Sequence, residues 1–483
     1  MSGASPIEAE LAVVGAGAAG LYTALCAAAE GAHVALISAT SLAQTASYWA
    51  QGGLAAALAK DDSPACHQED TERAGRGLVR RSAAEVLCAE APARVRELER
   101  LGVRFDADRS GALALGLEGG HSRRRVVHSG GSATGRRVVR ELSALAAHQQ
   151  LIQVVEHARA DALLLEDGRC SGLRCADGRR VRARAVVICA GGAAALWART
   201  TNPPGSLGSG MLLAHAAGAA LADLELLQFH PTAVIGVPGR EGFLVTEAIR
   251  GEGAVLLDGD GERFVDELAP RDEVSRAIDE LLERTGARSV SLDMREVDPA
   301  LFPNVVSALA EAGLDVTREL IPVSPAAHFM MGGITTDLHG RSTVPGLYAV
   351  GESACTGLHG ANRLASNSLS ECFVLGRRAA SAALGEPALS GAEPYVVELA
   401  AEVVPATKTA LWEHAGLRRS AAGLAALLDD PYPLARLIGA CALAREESRG
   451  AQVRVDYPQT DPALEATHTI VAPDGSISFE RWR

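Results

Sequence analysis

Glu10-Leu-Ala-Val-Val-Gly-Ala-Gly-Ala-Ala-Gly20 joins an apolar run to a glycine turn; an alanine-rich stretch, Leu21 to Glu30, and a second apolar run, His33 to Ser38, follow it. The periodicity predicts strand, turn, helix and strand, a βαβ unit. In the turn, Gly15 permits the tight bend, Gly17 lets backbone approach a pyrophosphate, and Gly20 lets the helix pack on the strand; Ala16, Ala18 and Ala19 complete it. The N-terminus of the helix then faces the phosphates of a dinucleotide. Ser38 stands at the end of the second strand, where an acidic residue is often expected to hold a ribose hydroxyl.

Two further strand signals run into glycine, Ala185 to Ala190 into Gly191-Gly192 and Leu347 to Val350 into Gly351, so three glycine-terminated strands, far apart in sequence, can converge on one ligand. The last of them opens Gly351-Glu-Ser-Ala-Cys-Thr-Gly-Leu-His-Gly-Ala-Asn-Arg-Leu-Ala-Ser-Asn-Ser-Leu369. Its glycines permit close approach to a bulky ligand. Glu352 and Arg363 carry opposite charges that an ordinary core would not hold without partners.

At 483 residues the chain exceeds what one core usually supports, and a net charge of -13 argues against a nucleic-acid backbone as partner. The run Arg123-Arg-Arg125 then reads as a solvated or locally paired face. Nine scattered cysteines without a CxxC pair suit a reducing compartment, and no metal-ligand set stands out. The apolar stretch Leu11 to Ala29 is interrupted by glycines, so it reads as strand, turn and helix rather than a membrane span; a cytoplasmic protein with no membrane role of its own is expected.

From Asp223 to Met331 the sequence changes to Pro-bounded segments and charged helices, as an inserted domain would; beyond Gly385-Glu-Pro387 it is alanine- and leucine-rich with helical spacing through Arg449. The expected architecture is α/β: a Rossmann-like domain in two parts (1–223 and 331–390), an inserted α+β capping domain (224–330) and a C-terminal helical domain (391–483).

The glycine turn is followed in order by Gln51-Gly-Gly53, Gln228-Phe-His-Pro-Thr232, Thr246-Glu-Ala-Ile-Arg-Gly251, Ala269-Pro-Arg-Asp272, the Arg363 segment, Glu446-Glu-Ser-Arg-Gly450 and Asp456-Tyr-Pro458. In this order the motifs resemble the succinate dehydrogenase and fumarate reductase flavoproteins, and most of all their aspartate-oxidising branch. That resemblance implies FAD, with its pyrophosphate at Gly15 to Gly20, the run Ala46 to Gly53 (with Ala46, Ser47, Gln51, Gly52 and Gly53) along the flavin, and Glu352, Ser368 and Leu369 near the ribityl chain and ring. Respiratory members attach the flavin through a histidine at the position of Ala46, which cannot form the bond, so a noncovalent FAD is implied. A second departure is Ser209, where the family usually carries aspartate.

For a four-carbon dicarboxylate the resemblance assigns His230, Thr246, His328 and Arg363 to the carboxylates and puts Arg271 near the reacting carbons. Arginine suits carboxylate through its bidentate fork. Glu118, in Leu117-Glu-Gly-Gly-His-Ser122, separates the readings, because a carboxylate there can receive a substrate ammonium. Each residue also has a plainer reading. His230 can cap the turn at Pro231, Thr246 can sit in a strand, His328 can be a satisfied core histidine, Arg271 can pair with Asp272 or Glu273, and Glu118 can pair with Arg123 to Arg125.

The activity implied is oxidation of L-aspartate to iminoaspartate with oxygen or fumarate as acceptor. This is the first step of NAD biosynthesis from aspartate, with quinolinate synthase as the partner that takes the product. A soluble fumarate reductase or respiratory succinate dehydrogenase subunit, and a non-catalytic dinucleotide-binding protein, are the alternatives.

Overall fold

The computed structural model describes residues 6–42, 44–399 and 402–482. Strand Ile7–Val14 runs into the glycine turn and helix Ala18–Ala29, and Val34–Ile37 returns parallel to the first strand, with Leu11 opposite Val34 and Val14 opposite Ile37. The strands are short and Val- and Leu-rich because both faces of a parallel sheet are covered. Gly15 has φ +107°, and a Cβ there would stand 2.2 Å from the carbonyl oxygen of Cys189. At Gly20 a Cβ would stand 1.8 Å from the carbonyl oxygen of Gly15. Helix and turn therefore pack at a distance that only glycine allows.

The main sheet has eight strands. Its parallel part is Ile152–Val155, Val34–Ile37, Ile7–Val14 and Arg180–Ile188, with Leu347–Ala349 parallel to the C-terminal half of Arg180–Ile188. Ala160–Glu166, Arg169–Cys175 and Tyr395–Glu398 extend the sheet in antiparallel fashion. Strands Ile7–Val14, Arg180–Ile188 and Leu347–Ala349 are thus neighbours, and the glycines that follow them, Gly15, Gly191 and Gly351, gather at one edge. Ligands of open α/β sheets bind beyond the carboxyl ends of such strands.

The inserted segment forms its own four-stranded antiparallel sheet in the order Leu227–Val234, Ile321–Met330, Val290–Asp293, Val255–Leu257. Helices Arg271–Thr285 and Pro303–Glu311 join this sheet in an apolar cluster that includes Val274, Ile278, Val305, Leu309 and Val323. Beyond residue 391 the chain is helical at Pro405–His414, Ala421–Ala426 and Pro433–Ala444. Leu411, Leu424, Leu434 and Ile438 from these helices share one apolar cluster with Val186 and Leu347 of the main sheet. Strands Thr467–Val471 and Ile477–Arg481, past the helical spacing, add to a five-stranded sheet with Leu221–Ala222.

Among the described residues no helix is long and apolar enough to cross a membrane, and no His, Cys, Asp and Glu cluster could hold a metal ion. All nine cysteines are free thiols, and only Cys66 is not fully buried.

Candidate active site

A long cleft runs from Gly17 and Ala19, at the start of the first helix, to His230, Arg271, His328 and Arg363 between the two sheets. Ala46, Ser47, Gln51, Gly52, Gly53, Glu118, Thr246, Glu352, Ser368 and Leu369 line it as well. Gly15, Ala16, Ala18, Gly20 and Ser38 lie outside its lining. The first two glycines of the turn divide the work: Gly15 makes the bend and Gly17 faces the cleft. Ser209, the first residue of helix Ser209–Ala216, is also outside the lining.

The donor set at the Gly17 end fits a dinucleotide. The amide of Ala18 donates to Ser47 Oγ at 3.1 Å, which ties the helix start to the short helical turn Ala46–Trp49. A Cβ at Gly192 would stand 2.2 Å from Glu352 Oε1, so the backbone is as close to this carboxyl as it can come. Ser38 donates its hydroxyl to the carbonyl of Thr40 at 2.7 Å, which leaves its oxygen free to accept. The Ala46 position carries no group that could bond a flavin covalently.

Glu352 is half-buried and accepts a hydrogen bond from the Met330 amide at 2.8 Å. Burial pushes its carboxyl up to about 7. Because this lies above the ordinary carboxylate range, the fold loses stability as pH rises from that range through 7 and carries the full cost above it. Glu352→Gln is expected to stabilise the apoprotein at pH 8 by about 3 kcal/mol and to leave it unchanged near pH 4. Chemical unfolding followed by tryptophan fluorescence measures both, and an apoprotein less stable than wild type at pH 8 contradicts this account.

At the far end of the cleft Arg363 is buried and stacks 4.5 Å from the ring centre of Phe329. Its Nη1 donates to Ser368 Oγ at 2.6 Å, and Nε and Nη2 donate to Gln228 Oε1 at 3.3 and 3.2 Å. No described carboxylate lies within ion-pair distance of it. Burial and the neighbouring Arg271 charge lower it to about 9. Arg271, the first residue of its helix, donates Nε to Glu247 Oε2 at 2.6 Å and Nη1 to Gln228 Oε1 at 3.1 Å. Asp272 and Glu273, its expected partners in the plainer reading, are held by Arg76 instead. One amide oxygen, that of Gln228, therefore bridges two buried guanidinium groups.

Burial and the charge of Arg271 keep both cleft histidines neutral, well below the ordinary histidine range. In His230 the Nδ1 accepts from the Thr232 amide at 3.2 Å, so the turn is capped as the plainer reading expects, and the neutral ring carries its proton on Nε2. His328, whose ring centre is 5.0 Å away, hydrogen-bonds Thr201 Oγ1 through Nδ1 at 2.7 Å. Thr246 is the N-cap of the short helix Glu247–Gly251, not part of a strand.

Glu118 is buried, with Oε2 accepting from Ser366 Oγ at 2.6 Å and Oε1 3.2 Å from His128 Nε2. Burial alone would raise it, but His128, Ser366 and Arg271 outweigh that and hold it at about 2. The Arg123 to Arg125 run does not supply its partner. Arg123 and Arg124 are exposed, while Arg125 is fully buried against Asp62 at 2.8 Å and Asp70 at 2.5 Å. Ser366 occupies the left-handed region at φ +60°. That strain is held by its hydroxyl, which also accepts from the Gly53 amide at 3.1 Å. The sequence assigns no site role to Gln228, Glu247, His128 and Ser366; Gln228, Glu247 and Ser366 lie inside quoted motifs, and His128 carries no local signal.

The family described as FAD binding domain matches residues 10–369, and that described as fumarate reductase flavoprotein C-term matches residues 425–481. The chain is 44% identical to L-aspartate oxidase of Agrobacterium fabrum, over 93% of this chain and 91% of that one. It is also 44% identical to L-aspartate oxidase of Caulobacter vibrioides, over 96% of each chain. Among solved structures, an E. coli quinol fumarate reductase superposes with TM-score 0.87 at 28% identity, covering 99% of this chain and 97% of that one.

Proposed function

The chain belongs to the L-aspartate oxidase family of the succinate dehydrogenase and fumarate reductase flavoproteins, and from that premise we propose that it oxidises L-aspartate to iminoaspartate with noncovalent FAD, the first step of NAD biosynthesis from aspartate. The observation that carries the reading is a pair of opposite charges in one cleft. Arg363 is a buried cation with no carboxylate partner among the described residues, and Glu118 is a buried carboxylate held as an anion. An amino diacid answers both.

In this reading Gly15 to Gly20, Ser38, Ala46 to Gly53, Glu352, Ser368 and Leu369 hold the cofactor. Bound FAD supplies the two-electron acceptor for a substrate C–H bond and passes the electrons on to oxygen or fumarate. Arg363, His230 through its Nε2 proton, His328 and Thr246 hold the substrate carboxylates, and Glu118 receives the ammonium. Burial of these groups excludes water and strengthens each contact. Arg271 lies at the head of a buried ladder, with Nε on Glu247 and Arg250 Nη2 3.7 Å from the other Glu247 oxygen. Reduction of fumarate adds a hydride to one carbon and a proton to the other, and we assign that proton to Arg271, restored through Glu247. The product, an unstable imine, is handed to quinolinate synthase.

The test is anaerobic mixing of the yellow holoprotein with L-aspartate, followed by acid precipitation. The expected results are bleaching of the oxidised flavin and recovery of all flavin in the acid supernatant. Bleaching by succinate but not by L-aspartate would overturn the reading in favour of a respiratory subunit, and flavin in the pellet would overturn the noncovalent attachment.

A further inference from the structure

In the proposed site Glu118 is the group that receives the substrate ammonium, so whatever keeps it charged bears on the preference for an amine-bearing diacid over a plain one. We propose that His128, with Ser366 on the second oxygen, is the positioning residue that keeps Glu118 an anion and thereby makes the site select an amine. The proposal rests on the reading of Glu118 as the receptor of the substrate ammonium.

Three observations carry it. First, both oxygens of Glu118 are engaged inside the protein, Oε1 by His128 Nε2 at 3.2 Å and Oε2 by Ser366 Oγ at 2.6 Å. Second, the Glu118 side chain is 1% exposed and that of His128 13% exposed, so the histidine links a carboxylate cut off from solvent to the outside. Third, the His128 ring packs directly on Gly116, where any side chain would have to displace it. The histidine follows strand Val126–Val127, which pairs with Leu115–Gly116, and a Cβ at Gly116 would stand 2.7 Å from His128 Cε1 and 3.1 Å from Nδ1.

The same cleft shows what a poorly solvated carboxyl becomes without such a partner. Glu352, held by a single backbone amide, is pushed up to about 7, whereas Glu118 sits at about 2. Other charges face Glu118 as well. Arg271 approaches from the cap helix, Arg250 from the short helix Glu247–Gly251, Arg363 from the segment before helix Asn367–Leu384, and His121 from its own loop. Of these, Arg271 is already paired with Glu247, and His121 and Arg363 are hydrogen-bonded elsewhere. His128 alone among them touches the carboxylate.

If His128 is removed, burial prevails and Glu118 takes up its proton as pH falls toward 7 or below. The ammonium then loses its counter-charge, while a plain diacid loses nothing. The experiment compares wild type, His128→Leu and Gly116→Ala holoproteins, the last leaving the histidine in the chain but displacing its ring. kcat/KM for L-aspartate and the binding constant of succinate, read from the flavin absorption change, are measured from about pH 6 to about pH 8.5.

In both variants kcat/KM for L-aspartate is expected to fall roughly 10- to 100-fold below wild type at the acid end. It should recover toward the alkaline end, with succinate binding within about threefold of wild type throughout. Equal losses for aspartate and succinate, or an aspartate profile parallel to wild type, would overturn the proposal. Glu118→Gln separates the premise from the inference. If it keeps the preference for aspartate over succinate, the ammonium reading fails and the proposal with it. If it loses the preference at every pH while the two His128-site variants keep the wild-type profile, the proposal alone fails.

Discussion

Arg363→Leu is expected to abolish turnover of L-aspartate and reduction of fumarate while leaving the apoprotein at least as stable as wild type. The guanidinium is buried with no carboxylate partner among the described residues, and burial with the nearby Arg271 charge lowers it to about 9. At neutral pH it remains charged, so the empty fold bears the desolvation cost, and a substrate carboxylate relieves it. Two charge-assisted hydrogen bonds, at roughly 1.5 to 3 kcal/mol each, correspond to a loss of about 10² to 10⁴ in kcat/KM. Leucine keeps an apolar contact to offer Phe329, on which Arg363 stacks, and leaves no charge to bury. Steady-state kinetics with both substrates and thermal unfolding of the apoprotein check the two halves. A tenfold or smaller loss in either reaction removes Arg363 from carboxylate binding, and a large fall in unfolding temperature would mean that its role is structural.

Arg271→Lys is expected to act on rate and hardly on affinity. Lysine keeps a positive charge beside Glu247, so the buried carboxylate there is not orphaned, but it cannot hold Glu247 Oε2 and Gln228 Oε1 at once as the fork of arginine does. If Arg271 delivers the proton to the reacting carbon, kcat for fumarate reduction should drop roughly 10² to 10⁴-fold. Fumarate binding should change by less than about tenfold, because Arg363, His230 and His328 still hold the carboxylates. Stopped-flow oxidation of the reduced flavoprotein by fumarate separates the two. A large rise in the fumarate dissociation constant with an unchanged limiting rate would reassign Arg271 to binding.

The βαβ start, the glycines after three distant strands and the inserted segment were legible in the chain because each leaves a local trace: an apolar run of strand length, a glycine where no Cβ fits, or a change of composition. Selecting Glu118, His230, Thr246, Arg271, His328 and Arg363 needed the order of several motifs, since a lone histidine or arginine carries no such trace. The partners of these residues left none. Ser366 reaches Glu118 across 248 positions and Gln228 reaches Arg363 across 135, and no periodicity records such a pairing. Arg125 shows the converse, for within a basic run that reads as a solvated or locally paired face one arginine has no exposure and is locked to Asp62 and Asp70, which the run itself does not name.

By itself, then, the order of residues determined an α/β fold with a dinucleotide turn and named the charged side chains that meet at the cleft. Only the tertiary structure decided their state: which carboxyl is held at about 2 and which rises to about 7, and which guanidinium stays beyond ion-pair reach of every described carboxylate. The reason is physical. Backbone conformation follows from neighbours along the chain, whereas the charge of a buried group follows from how much water is excluded and from which dipoles and ions stand within a few ångströms, and those arrive from elements far apart in sequence.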